Sequence, residues 1–284
     1  MNYKNVTTNI RQELKNYIVE NNIKSLVLGI SGGIDSAICA ALAKPICDEL
    51  NIPLIGRSLP TTTNSGGENS RAKEIGKHFC TDFKEVNIES GFTAMYGLAI
   101  DNFHIEQDGI TDKKESILRG NVKARTRMIL LYDIAGATDG MVLSTDNWTE
   151  YLLGFWTLHG DVGDYGMIQE LWKTEVYNLA EWLANELSSD AYLLKVPDDN
   201  ANALHDCIDC QATDGLGISN SDLDQIMPGW TGTSRDGYKI VDDKLMDYYH
   251  THNGDISDPV ISRYLRTEFK RKNPVNIKRT KIDG

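Results

Sequence analysis

Between Leu26 and Leu42 the sequence reads LVLGISGGIDSAICAAL: an apolar run, a hexamer of small and polar residues, then a second apolar run rich in alanine. Leu26, Val27, Leu28 and Ile30 lack polar alternation, as expected of a strand buried on both faces. From Ala37 the chain offers good helix formers with no breaker until Pro45. Ser31 to Ser36 is therefore a strand-to-helix turn, which aims backbone N–H groups and the positive end of a helix dipole at one point. Gly32 and Gly33 let the backbone approach an anion closely, and Ser31 and Ser36 add hydroxyl donors. Asp35 would repel a phosphate unless a cation stood between them, so it points to Mg²⁺ held against phosphate oxygens. The Gly-Lys-Ser/Thr ending of a Walker loop is missing, as are the three glycines of the dinucleotide fingerprint. The plain alternative is a glycine-rich connection without a ligand.

A chain of 284 residues has room for one large α/β domain, or one domain with an appendage. Hydrophobic periodicity predicts helices at 8–21, 35–50, 65–79, 89–102, 115–136 and 174–187, with more near 240–250 and 257–270. Strands are predicted at 26–30, 53–59, 83–88 and 141–144, and Ser65 with Glu68 forms a capping-box pattern. This alternation predicts a doubly wound parallel sheet flanked by helices, with ligands beyond the carboxyl ends of its strands. The stretch 198–220 is polar and aperiodic and reads as a long loop, a candidate mobile lid. A net charge of −12 argues against a nucleic-acid surface. No run of about 18 apolar residues or signal-peptide core is evident, so a cytoplasmic protein with no membrane partner is expected. Five cysteines, an odd and sparse set, do not read as a disulfide framework.

A second junction repeats the first. The strand Met141 to Ser144 ends in Thr145, Asp146 and Asn147, a helix opens, and Glu150 lies about one turn into it. If the two strands are neighbours, Glu150 faces Asp35 and supplies a second carboxylate to Mg²⁺; the alternative is that it complements its own helix terminus. RGNVKARTRM (119–128) places Arg119, Lys123 and Arg127 at helical spacing with Arg125 turned away, either a solvated basic face or a clamp for a pyrophosphate or carboxylate. His205, Cys207 and Cys210 form H-x-C-x-x-C without the second pair that a closed zinc site wants.

The S-G-G-x-D-S turn resembles the pyrophosphate loop of the ATP pyrophosphatases. Together with GNVKARTRM, STDNWTEYLLGFW followed by HGDVGD, and RTEFKRKNP, in that order, it resembles ammonia-dependent NAD synthetase over roughly residues 10–275. The resemblance implies an adenine nucleotide alpha hydrolase-like fold, and a single domain without a glutaminase unit. It implies a homodimer with the acceptor pocket at the subunit interface. The implied reaction is a two-step amidation: the carboxylate of deamido-NAD attacks the α-phosphorus of ATP, and ammonia then displaces AMP. On the same ground Gly29, Ile30, Ser31, Gly32, Gly33, Ile34, Asp35, Ser36, Thr145 and Lys173 match ATP contacts. Asp35 and Glu150 match Mg²⁺ ligands, and Arg125, Asp164 and Lys270 match deamido-NAD contacts. Asp161, in the G-D-x-G turn, is a candidate to take a proton from ammonium, since only neutral ammonia is nucleophilic. The family's usual lysine, threonine and histidine are replaced by Leu158, Asp198 and Phe269. These departures keep two alternatives open: another ATP pyrophosphatase with a different acceptor, or a catalytically silent nucleotide sensor.

Overall fold

The structure, a computed structural model, describes residues 1–103, 111–194, 199–213, 215–219 and 221–281. Five parallel strands lie in the order β3-β2-β1-β4-β5, where β1 is Leu26–Gly29, β2 Leu54–Ser58, β3 Asp82–Glu85, β4 Met141–Ser144 and β5 Tyr165–Gly166. Leu26 is in register with Leu54 on one side and Met141 on the other, so β1 is central. Chain order runs outward from β1 through β2 to β3 and resumes at β4 on the opposite side. The crevice between β1 and β4 is thus the switch point where an open parallel sheet binds ligands.

The three inner strands β2, β1 and β4 are buried on both faces while the edge strands β3 and β5 are partly exposed, and alternate inner side chains divide between two layers. Leu26 and Leu28 join the large core beneath α1 (Tyr3–Glu20), α2 (Ile34–Leu50), α3 (Gly66–Phe79) and α7 (Lys173–Leu194). Val27, Ile55 and Val142 join Met128, Leu131 and Ala135 of α5 (Asp112–Ala137), which packs with α4 (Glu89–Phe103) on the other face. Ser65 and Glu68 form the expected capping box. Pro45 lies inside α2, where its missing N–H leaves the carbonyl four residues earlier without a helical donor. Arg11 of α1 fills that role, its Nη2 donating to Ala41 O at 3.1 Å.

Two expectations change. Asp198 lies outside the described residues, but the stretch read as loop opens with α8 (Asp199–Ile208), whose Ala201, Leu204, Cys207 and Ile208 are buried against α3 and α7. Averaging that segment with the glycine-rich residues after it hid a helical spacing of three and four. The helix expected at 257–270 is two, α10 (Pro259–Arg266) and α11 (Glu268–Arg271), hinged at Thr267. Between β4 and α7 stands the short α6 (Trp148–Leu153), and α9 (Ser234–Thr251) packs on α6, α7 and α10.

Candidate functional site

The turn after β1 is wound on its own serines. Ser31 N donates to Ser36 Oγ at 3.2 Å, Gly33 N to Ser31 Oγ at 3.2 Å, and Ser36 Oγ to Gly33 O at 3.1 Å. Gly32 adopts φ +82°, and a Cβ there would stand 2.2 Å from Glu68 O of α3, so both conformation and space call for glycine. Arg71 fixes the same point, its Nε donating to Gly32 O at 2.9 Å. Gly33 occupies the N-cap of α2 without a side-chain hydrogen bond, which leaves first-turn N–H groups of a 17-residue helix for an anion.

Glu150 reaches this turn from α6. Asn147 caps α6 in a reciprocal capping box with Glu150, and Asn147 Nδ2 also donates to Asp35 Oδ1 at 2.9 Å. Lys173, 2 % exposed, lies between the two carboxylates, paired with Asp35 and 2.9 Å from Glu150 Oε1. Burial opposes charge on Lys173, but Asp35 and Glu150 outweigh it and push its pKa well above the ordinary lysine value. Burial, with Asp35 adding to it, lifts the Glu150 carboxyl to about 7 against the pull of Lys173. Two hard carboxylates sharing one ammonium between them suit a divalent cation of the Mg²⁺ class. Among the described residues no third acidic, histidine or cysteine side chain completes a metal set, so phosphate and water oxygens would fill the remaining positions.

This constellation opens into a cavity of about 600 Å³ lined by the 29–36 turn apart from Gly32, and by Thr145, Asp146, Glu150, Asp161, Lys173 and Lys270. Every residue expected to meet ATP or the metal therefore converges on one crevice except Gly32, whose backbone turns toward α3 beneath it. The basic stretch of α5 divides by role. Lys123, 2 % exposed, donates to Thr63 Oγ1 and to Leu216 O, both at 2.9 Å. Arg127 Nη2 donates to Gly215 O at 3.1 Å, and Thr213 Oγ1 bonds Glu68. Both cations thus hold the segment after α8 across the cavity mouth, rather than forming a solvated face.

The residues expected at the acceptor are not gathered within one chain. Lys270 lines the cavity, its Nζ donating to Gly154 O at 2.8 Å and to Trp156 O, and burial together with Arg263 lowers its pKa to about 8. Asp161 also lines it, accepting from Thr157 N, with burial raising its pKa. Arg125 and Asp164 lie outside the cavity lining. Arg125 is exposed and donates to Leu158 O at 3.2 Å, while Asp164 accepts from Tyr132 Oη and Val142 N, both at 2.9 Å. Leu158 and the 58 % exposed Phe269 are also outside the lining. His205, Cys207 and Cys210 are not gathered into a metal-ligand group among the described residues, and Cys207 is buried against Gly32 O.

Sequence reasoning missed Arg71, Asp146, Arg263 and Arg266 in the lining. Asp146 follows Thr145 in the motif, where an acidic residue just before a helix start is equally explained as a helix cap. It is 7 % exposed, and burial followed by the charges of Glu150 and Asp161 drives its pKa well above the carboxylate range. Arg263 and Arg266 sit four to seven residues before Lys270 on α10, a spacing legible as one basic face.

A sequence model of the NAD synthase family matches residues 6–274. The NH3-dependent NAD+ synthetase of Finegoldia magna is 30 % identical over 275 residues, covering 96 % of this chain and 95 % of the relative. The enzyme of the same name from Thermococcus sibiricus is 33 % identical over 184 residues, 64 % of this chain and 66 % of that one. Among solved structures, the NMN synthetase of Francisella tularensis superposes with a TM-score of 0.73 at 22 % identity, covering 98 % and 99 % of the two chains. The NH3-dependent NAD synthetase of Campylobacter jejuni gives 0.65 at 23 %, covering 98 % and 100 %. These likenesses identify the sheet as the adenine nucleotide alpha hydrolase-like fold.

Proposed function

Because the chain belongs to the NAD synthase family, we propose that it amidates deamido-NAD to NAD with ATP and ammonia, as a carbon–nitrogen ligase that releases AMP and pyrophosphate. The observation that carries the reading is the convergence of Asp35, Glu150 and Lys173 on an uncapped helix N-terminus at the β1/β4 crevice.

In the first step a carboxylate oxygen of the acceptor bonds to the α-phosphorus of ATP as the bond to the β-phosphate bridging oxygen breaks. Pyrophosphate leaves with its electrons. The 31–36 turn binds the departing phosphates through backbone N–H groups and the Ser31 and Ser36 hydroxyls. Lys173 exchanges its carboxylate partners for phosphate oxygens. Asp35 and Glu150 would hold Mg²⁺, which when bound neutralises charge on the phosphates. In the second step ammonia attacks the acyl carbon of the adenylate and AMP departs. Asp161 is placed to take the proton from ammonium, because burial makes its carboxylate a stronger base than an exposed one. Thr145 contacts ATP from the end of β4.

On the acceptor side, Lys270 meets the dinucleotide inside the cavity. Arg125 is exposed on α5, Asp164 just before β5 accepts from Tyr132 of the same helix, and Ile129, Tyr132 and Val162 are exposed apolar residues of these two segments. A second copy covering that apolar face encloses both residues, so the working unit is a homodimer, and the segment after α8 that Lys123 and Arg127 hold covers each site. Among the described residues no helix is long and apolar enough to cross a membrane.

The test supplies the enzyme with Mg-ATP, ammonium and deamido-NAD and identifies products by mass. NAD, AMP and pyrophosphate in equal amounts are expected; ADP and phosphate, or nucleotide binding with no product, would refute the proposal. Light scattering is expected to show a dimer.

A further inference from the structure

Helix α7 begins at Lys173 in the sequence Leu-Trp-Lys-Thr-Glu, where the preceding residue is a tryptophan and not a Ser, Thr, Asp or Asn. The first N–H groups of a helix have no partner within it, and here no local side chain accepts from the two that matter most. Their acceptors come from elsewhere in the fold. Lys173 N donates to Thr149 Oγ1 at 2.9 Å, and Thr174 N donates to Asp242 Oδ2 at 2.8 Å. The two acceptors are themselves joined, since Thr149 Oγ1 donates to Asp242 Oδ1 at 2.5 Å. Thr149 is 0 % exposed and Asp242 1 %.

Thr149 is the residue before Glu150, and the other end of the relay is the backbone of Lys173 itself. A single carboxylate on α9 thus ties the start of α6 to the start of α7, the two points from which Glu150 and Lys173 extend toward Asp35. A buried carboxylate held by a hydroxyl and a backbone N–H carries a desolvation cost that an apolar residue would avoid. Its return is a fixed distance between two helix starts that share no sequence and little contact.

We infer that Asp242 is a positioning residue of the adenylation site, setting the separation of Glu150 and Lys173 through Thr149 and the α7 N-terminus. The inference rests on reading Asp35, Glu150 and Lys173 as the nucleotide and metal site. Asp242 touches neither substrate nor metal and acts only through these two helices.

Substitutions separate this role from simple support of the fold. Asp242→Asn keeps the shape and can still accept from Thr174 N, but it presents an amide donor to Thr149, whose hydroxyl then has no acceptor for its own proton. Thr149→Val cuts the relay at its middle with little change in volume, and Thr149→Ser preserves it. Each variant is compared with wild type by melting temperature, by kcat and KM for Mg-ATP and for deamido-NAD, and by paramagnetic detection of Mn²⁺ bound with a non-hydrolysable ATP analogue.

Asp242→Asn and Thr149→Val are expected to remain folded, to lose about 10–100-fold in kcat/KM for Mg-ATP, and to bind Mn²⁺ with the analogue correspondingly more weakly. KM for deamido-NAD is expected to stay put, and Thr149→Ser to behave as wild type. Folded Asp242→Asn and Thr149→Val proteins with wild-type Mn²⁺-analogue binding would overturn the inference, as would equal impairment of Thr149→Ser and Thr149→Val. The binding measurement needs no turnover, so it decides the role of Asp242 even if the wild-type enzyme proves to use another acceptor.

Discussion

Lys173→Met removes the one cation shared by Asp35 and Glu150, whose side chains are only 17 % and 14 % exposed. Breaking a buried pair by deleting one partner costs about 3–5 kcal/mol. At roughly 2–4 °C per kcal/mol for a chain approaching this size, melting falls by roughly 6–20 °C. The loss carries a pH signature. Glu150 already titrates at about 7 in the folded protein while Lys173 pulls it down, so the variant's carboxyl must move higher still. A carboxyl group raised on folding binds its proton more tightly in the native state. Its favourable contribution is therefore intact below the unfolded value and disappears as pH rises through the folded one. Wild type and variant both hold Glu150 protonated below about pH 6, where the deficit is smallest. Above about pH 7 the wild-type carboxylate is paired and the variant's is not, and each further unit of separation adds about 1.4 kcal/mol. Urea unfolding at both ends of this range, with and without Mg²⁺, measures the effect, and Mg²⁺ is expected to restore part of the loss. A deficit below about 1 kcal/mol at pH 8.5, or the same deficit at both ends, would refute the central placement of Lys173.

Other perturbations probe the turn and the acceptor side. Gly32→Ala forces a Cβ into the Glu68 carbonyl at φ +82°, costing about 1–2 kcal/mol in conformation alone. Calorimetry should show ATP binding lost by more than the stability, and an unchanged Kd would show that the turn does not hold phosphate. Asp35→Asn is expected to lower kcat at least about 100-fold in the coupled pyrophosphate assay while the protein stays folded; near-normal turnover would remove Asp35 from the metal site. Because Lys270 discharges near pH 8, kcat/KM for deamido-NAD should fall as pH rises above that value. Lys270→Arg, charged throughout, should flatten the fall, and an unaltered alkaline limb would place Lys270 away from the acceptor.

Much of the fold was legible because the signals were local. The bare apolar runs of β1 and β4, the Ser65/Glu68 box and the α2 alanines each predict their element without reference to anything distant. The meeting of the β1 turn with Glu150 was legible for the same reason, since the turn and the Asp146–Glu150 segment are short and carry unusual chemistry. What stayed hidden depends on partners far along the chain. Nothing near Pro45 shows that Arg11 will satisfy the freed carbonyl of α2, and nothing near Trp172 shows that Thr149 and Asp242 will cap α7. The grouping of Lys123 and Arg127 with the 215–216 backbone follows from how that segment folds back, so their cationic spacing left a solvated face and a ligand clamp equally open. The acceptor half was least legible: Arg125 and Asp164 lie outside the cavity that Asp161 and Lys270 line, held by Leu158 O and Tyr132 Oη.

The most direct test of acyl adenylation withholds the nucleophile. Enzyme at substrate-level concentration is mixed with Mg-ATP and deamido-NAD in ammonium-free buffer, and pyrophosphate is followed before and after ammonium is added. The account predicts a burst of about one pyrophosphate per site with AMP held as the adenylate, then conversion of that adenylate to NAD on adding ammonium. Absence of pyrophosphate until ammonium arrives, or release of ADP in its place, would contradict a mechanism in which the β1 turn, Asp35, Glu150 and Lys173 activate the carboxylate first.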